Sequence, residues 1–143
     1  MYKNILVPIE PGHGAVCGRI IAVAKLLSGG QGTISLLTVI EHLPGYVSAD
    51  VPQEIFAASL KETTAELHAL ARGAGIDESH VLIREGHAAV TILAEAERMG
   101  ADAIVLGSHR PGFADYLIGS TASRVVRHAQ CTVVVERSLP SSA

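Results

Sequence analysis

Gly107-Ser108-His109-Arg110 and Gly119-Ser120-Thr121 are the two groups of residues in this chain whose types and spacing could do chemistry. They bracket a glycine-punctuated loop, Gly107–Ile118, between an apolar run at Ala103–Leu106 and a helix opening at Gly119-Ser120-Thr121. A strand that feeds such a loop into a helix N-terminus is an anion-binding device. Glycine lets backbone approach a ligand, and the first N–H groups of the helix have no intrahelical partner. Ser120 and Thr121 would add hydroxyl donors, and His109 and Arg110 would add side-chain donors from the loop. The competing explanation is that Ser120 simply caps a helix after an ordinary connection.

Other chemistries are disfavoured by what is missing. No G-x-x-x-x-G-K-[ST] phosphate loop occurs, and Gly12-His13-Gly14 is too short to be a dinucleotide fingerprint. A phospho-receiver would need paired acids after the first strand and a lysine after the last; the chain has a lone Glu10 and Arg137 there, with Glu85 after the third strand. Ser120, His109 and Asp115 contain the atoms of a hydrolase triad, but there is no G-x-S-x-G elbow to present a nucleophile. The seven histidines, His13, His42, His68, His80, His87, His109 and His128, are scattered, without metal-ligand spacing.

The elements that must position the loop alternate regularly. Tyr2–Ile9 reads as a strand whose Ile5-Leu6-Val7 run is continuous rather than alternating, as in a strand covered on both faces. A helix follows over Ala15–Ser28, with Val16, Ile20, Ala24 and Leu27 inward and Gly29-Gly30 as its stop. Thr33–Ile40 is a second strand and Glu41–Pro52 a long connection with the length of a binding loop. The helix at Gln53–Ala74 carries the inner stripe Phe56, Leu60, Thr63, Leu67, Leu70 and Ala74. Then come a strand at Val81–Arg84, a helix at Ala88–Met99 with Val90, Leu93, Ala94 and Ala96 inward, a strand at Asp102–Leu106, a helix at Ser120–Ala129 and a last strand at Cys131–Glu136.

This βαβαβαβαβ alternation calls for an open parallel sheet with helices on both faces. Ligands bind such sheets outside the carboxyl ends of the strands, where the strand order reverses. If the fourth strand neighbours the first, Pro8-Ile9-Glu10 faces Gly107-Ser108-His109-Arg110 across that point. Glu10 could there accept from ribose hydroxyls or an adenine amine, hold a metal, pair with Arg110 or cap the first helix.

Composition sets the remaining bounds. The 143 residues form one domain, Met1–Arg137, with a frayed Ser138–Ala143 end, and 48% of them are apolar. The net charge of −3, without clustered Lys or Arg, disfavours nucleic-acid binding. No apolar run reaches the ~18 residues of a membrane span, and MYKNILVPIE lacks a signal-peptide core, so a cytoplasmic location with Cys17 and Cys131 reduced is expected. The last strand, with consecutive Val133, Val134 and Val135 and no helix after it, would leave an apolar edge that pairing with a second copy closes.

With these residues in view, the chain resembles the universal stress protein (UspA) family, and its ATP-binding branch in particular, over Met1–Arg137. ILVPIE resembles the family's I-L-V-P-[VI]-D opening, with Glu10 where the family has Asp. ILAEAERMGADAIVLGSHRP and GSHRPGFADYLIGSTASRVVRHAQCTVVVER resemble its fourth-strand, loop and final-strand segments. Against the family's G-x₂-G-x₉-G-[ST], Gly107 and Gly119-Ser120 match, Arg110 replaces the second glycine, and the loop is one residue shorter, as in members carrying G-S-H-R-P.

The resemblance implies a Rossmann-like sheet, of the adenine nucleotide alpha hydrolase type, ordered 3-2-1-4-5. It implies ATP or AMP as ligand, with or without Mg2+, held by Pro8, Ile9, Glu10, Val39, Gly107, Ser108, His109, Arg110, Gly119, Ser120, Thr121 and Ala122, with Val39 supplying a backbone adenine contact. It further implies a homodimer through Cys131–Glu136, and stress-response binding or signalling with at most slow hydrolysis or autophosphorylation. A nucleotide-free interaction module of the same fold, or a small phosphohydrolase, are the alternatives.

Overall fold

Runs of residues apolar on both sides can be satisfied only by covering both faces of a sheet, and the chain does this. In a computed structural model, residues 2–12, 14–41, 53–108 and 119–137 are described. Five strands, β1 (Asn4–Pro8), β2 (Thr33–Ile40), β3 (Val81–Glu85), β4 (Ala103–Gly107) and β5 (Thr132–Glu136), pair in parallel in the order β3-β2-β1-β4-β5. Among the described residues the helices are α1 (Gly14–Ser28), α2 (Gln53–Ala74), α3 (Ala88–Met99) and α4 (Ser120–His128), with a 3-10 turn at Glu78–His80 before β3. The expected alternation and strand order are thus observed. His13, the 42–52 connection, the side chain of Phe56, the loop residues 109–118 including His109 and Arg110, and the 138–143 end lie outside the described residues.

Two cores result, one on each face of the sheet. Ile5, Val7, Leu36 and Val105 pack with Ile20, Ile21 and Ala24 of α1 and Leu67 and Ala71 of α2. Leu6, Leu37, Ile104 and Leu106 pack with Ala89, Ile92 and Ala96 of α3 and Ala122 and Val125 of α4. The glycine stops hold: Gly29, Gly30, Gly75 and Gly100 all take positive φ, and Gly100 caps α3 in the left-handed conformation.

The expected inner face of α3 is corrected. Val90 is 58% exposed and Ala94 points outward, whereas Ala89, Ile92 and Ala96 are buried. Alanine and valine occur all round this helix, so apolar spacing alone does not set its phase. Glu95 is buried beside Ala96 because two guanidinium groups meet it. Arg84 Nε donates to Oε1 at 2.9 Å, and Arg98 Nη2 donates to Oε2 at 2.6 Å. Arg98 first, and Arg84 with it, hold the Glu95 carboxyl below its usual range against the opposing effect of burial.

The β1–β4 junction positions the site. At its amino end the two strands are stitched together: the Asp102 carboxylate accepts from Lys3 N at 2.8 Å and Asn4 N at 3.0 Å, and Asp102 N donates to the Asn4 carbonyl at 2.9 Å. At its carboxyl end they part. The β1–β4 ladder holds two residue pairs, Ile5–Ala103 and Leu6–Ile104, whereas β1–β2 and β4–β5 continue to Pro8–Leu37 and Gly107–Glu136.

Partial burial raises the pKa of Asp102, but the donors at Lys3 and Asn4 outweigh it and hold the carboxyl below its usual range. A depressed folded-state pKa contributes stability above the unfolded value near ~3.9 and loses it as pH falls through the folded value. Asp102→Ala is expected to lower stability by about 1 kcal/mol at neutral pH, with the deficit shrinking below about pH 4. Urea denaturation of both proteins at pH 7 and pH 3 checks this.

Candidate functional site

The candidate site lies where the β1–β4 ladder ends. From β1 the chain leaves through Pro8, Ile9 and Glu10 before α1 begins at Gly14. Ile9 is an anchor: its side chain is buried, its N–H donates to the Leu37 carbonyl at 2.8 Å, and its carbonyl accepts from Thr38 Oγ1 at 3.0 Å. Glu10 is exposed, and its backbone carbonyl accepts from Cys17 Sγ at 3.3 Å. Burial pushes the Cys17 thiol up, although the bond to Glu10 opposes this, so it serves as a neutral donor rather than a reactive thiolate.

From β4 the chain leaves through Gly107 and Ser108. Ser108 is buried; its N–H donates to the Glu136 carbonyl at 3.0 Å, and its own carbonyl accepts from Gly119 N. Ser108 and Gly119 are therefore clasped together at the carboxyl edge of the sheet. Gly119 is the N-cap of α4 with extended backbone and no side-chain cap bond, and its carbonyl accepts from Ser123 N at 2.9 Å. Ser120 does not cap the helix, which corrects that alternative: it is the first helical residue and is exposed. The N–H groups of Ser120, Thr121 and Ala122 thus open the helix without intrahelical acceptors, with Ala122 buried beneath them. The positive end of the helix dipole lies here, while Arg127 and His128 sit at its other end.

Val39 is partly buried near the end of β2, two residues beyond the last β1–β2 pair. So Pro8, Ile9, Glu10, Val39, Gly107, Ser108, Gly119, Ser120, Thr121 and Ala122 all lie at the carboxyl edge of the sheet or at the helix start it supports. Among the described residues no group of three or more His, Cys, Asp or Glu could hold a metal ion. Hollows of about 490 Å³ between α1 and α2, and about 280 Å³ between the C-terminal ends of α3 and α4, are lined by none of these residues. No helix among the described residues is long and apolar enough to cross a membrane.

Sequence reasoning did not find Thr38, Cys17 or Glu136, whose bonds hold the exits of β1 and β4. Thr38 read only as part of the second strand and Cys17 only as a reduced thiol in the first helix, and the Glu136 contribution is a backbone carbonyl. Only the strand register brings them to the site.

A doubly wound parallel domain whose strand order reverses between β1 and β4 is the class of protein defined here. The sequence profile of the universal stress protein family matches residues 1–137, and the chain belongs to that family. It is 33% identical over 147 aligned residues to universal stress protein G of Escherichia coli O157:H7, covering 96% of this chain and all of that protein. The universal stress protein UspA of Lactobacillus plantarum shares the fold, with a TM-score of 0.74 and 24% identity over 95% of this chain and 98% of that one. A universal stress protein solved in complex with cAMP superposes with a TM-score of 0.59 at 18% identity, over 96% of this chain and 98% of that one.

Gly107 sets how closely β4 approaches α1. A Cβ there would stand 3.2 Å from Ile20 Cδ1 and 4.0 Å from Val16 Cγ1. Gly107→Ala is expected to stay within about 1 kcal/mol of wild type, because the end of Ile20 can give. Gly107→Val should cost about 1–3 kcal/mol through overpacking. Thermal denaturation of the two variants checks the difference.

Proposed function

We propose that this protein binds an adenine nucleotide, ATP or AMP, in the crevice between β1 and β4, and acts as a stress-response binding or signalling protein. The observation that carries the reading is the clasp of Ser108 to Gly119. It sets the uncapped N-terminus of α4 beside the parted ends of β1 and β4, at the strand-order reversal where such sheets take ligands. The cAMP held by a structural neighbour is itself an adenine nucleotide and supports the same reading.

In this reading the phosphates meet the N–H groups at Ser120–Ala122 and the Ser120 and Thr121 hydroxyls, with His109 and Arg110 reaching them from the loop. The fork of Arg110 would contribute charge-assisted bonds to phosphate oxygens. Glu10 and Val39 take the ribose and base. Mg2+ would accompany the phosphates, with Glu10 at the exit of β1 as a candidate ligand. Among the described residues no side chain is placed as a general base for a water, and binding with slow turnover in the cytoplasm is the expected behaviour.

Calorimetry should show ATP binding to the wild type and at least about tenfold weaker binding to Gly119→Val, whose branched side chain crowds the phosphates. Unchanged affinity in that variant would remove the phosphates from the α4 N-terminus.

The same reading includes a homodimer through β5. β5 is an edge strand, and Glu136 turns its carbonyl to β4, where it accepts from Ser108 N. In a parallel ladder this phase turns the Thr132, Val134 and Glu136 backbone toward β4 and the Val133 and Val135 N–H and carbonyl groups to the outer edge. Light scattering at micromolar concentration should give about twice the chain mass for the wild type. Val133→Pro, which removes one outward donor and no β4 rung, should be a folded monomer. A monomeric wild type, or a dimeric Val133→Pro, contradicts pairing through this edge.

A further inference from the structure

The backbone of β2 alternates sides. Thr33 N donates to the Lys3 carbonyl at 2.9 Å and the Leu37 carbonyl accepts from Ile9 N at 2.8 Å, so the odd-numbered residues face β1. The Ile40 carbonyl accepts from Gly86 N at 3.0 Å, so the even-numbered residues face β3. In this phase the next rung toward β1 would be the Val39 N–H donating to the Ile9 carbonyl. That rung is not made. The ladder ends at Pro8–Leu37, and the Ile9 carbonyl accepts instead from Thr38 Oγ1 at 3.0 Å, inside the protein, with Thr38 only 6% exposed.

We infer that Thr38 is a positioning residue: its hydroxyl aims the Ile9 carbonyl out of line with the Val39 N–H and so leaves the Val39 N–H and carbonyl side by side over the carboxyl end of β1. The physical case is one of acceptor direction. An extended residue at the end of a parallel ladder closes one more rung when its neighbour offers a carbonyl. A carbonyl has two lone pairs, so the buried hydroxyl does not use up the acceptor; it fixes the direction of that carbonyl, turning it toward the Thr38 side chain and off the line of the next rung, and a hydroxyl without that partner would be costly. Val39 then presents a donor and an acceptor in one direction.

Such a pair is complementary to a planar ligand edge carrying an acceptor beside a donor. Resting on the adenine-nucleotide reading above, that edge is N1 with the 6-amino group. The 6-oxo edge of inosine presents the two functions in reverse order and is rejected. Selection of the base is then set by Thr38, which need not touch the ligand, through the register it imposes on Ile9.

The test compares wild type, Thr38→Val and Thr38→Ser. Thr38→Val keeps the side-chain shape, removes the donor and releases the Ile9 carbonyl to Val39. ATP and ITP are titrated calorimetrically, and hydrogen exchange of the Val39 amide is followed by NMR without ligand. The inference expects Thr38→Val to bind ATP about tenfold more weakly, the size of one hydrogen bond, with the ATP preference over ITP reduced to match. It expects the Val39 amide of that variant to exchange at least about tenfold more slowly, as a new rung protects it. Thr38→Ser should restore both properties.

Wild-type-like nucleotide preference together with wild-type-like Val39 exchange in a folded Thr38→Val overturns the inference while leaving the adenine reading intact. Absence of ATP binding by the wild type overturns the adenine reading, and the exchange contrast alone then decides the role of Thr38. Should Thr38→Val fail to fold, Thr38→Ala against Thr38→Ser gives the same contrast.

Discussion

Everything at the candidate site depends on the way β1 and β4 are joined. They are neighbours in space but not in sequence, and they form the place where the order of strands reverses. Their amino ends are fastened by the Asp102 carboxylate on two backbone donors and by the Asp102 N–H on Asn4, while their ladder stops after two residue pairs. A short ladder between two fully buried strands is sustainable because the cores on both faces hold them. Val7 and Val105 pack beneath α1, and Leu6, Ile104 and Leu106 pack beneath α3 and α4. The apolar packing thus supplies the rigidity, and the missing rungs supply the opening.

Around that opening the backbone does most of the positioning. Ile9 is tied by both of its backbone groups, Glu10 by its carbonyl to Cys17, and Ser108 by its N–H to Glu136 and its carbonyl to Gly119. The ties to Leu37, Thr38, Cys17 and Glu136 reach neighbours outside the proposed site, and the tie to Gly119 joins the exit of β4 to the start of α4. The Ser108–Glu136 bond also links the loop to β5, so the proposed ligand site and the proposed dimer edge share a strand end.

Much of the fold was legible because its cause is local. Ile5-Leu6-Val7 and Val133-Val134-Val135 can be strands covered on both faces, and Gly29-Gly30, Gly75 and Gly100 stop helices by adopting positive φ. The phase of α3 was not legible, since Ala88, Val90, Ala94 and Ala96 offer apolar surface on every side; its choice follows from the Arg84 and Arg98 contacts that allow Glu95 to be buried. The two groups bracketing the loop were visible from glycine and hydroxyl spacing. The Ser120 side chain looked like a cap, however, and only backbone geometry shows that Gly119 holds that position. Thr38 was invisible as a site residue because its meaning lies in the register between β1 and β2, which no local pattern encodes.

The central claim is that an adenine nucleotide sits where β1 and β4 part, against the start of α4. The most direct measurement is a titration of the isotopically labelled protein with ATP, followed by amide chemical shifts. The account predicts saturable shifts that cluster at Ile9, Glu10, Val39, Gly107, Ser108 and Gly119–Ala122, with the α1–α2 groove around Ala22 and Ala69 unmoved. Saturating ATP that shifts none of these amides, or shifts confined to that groove, would contradict it.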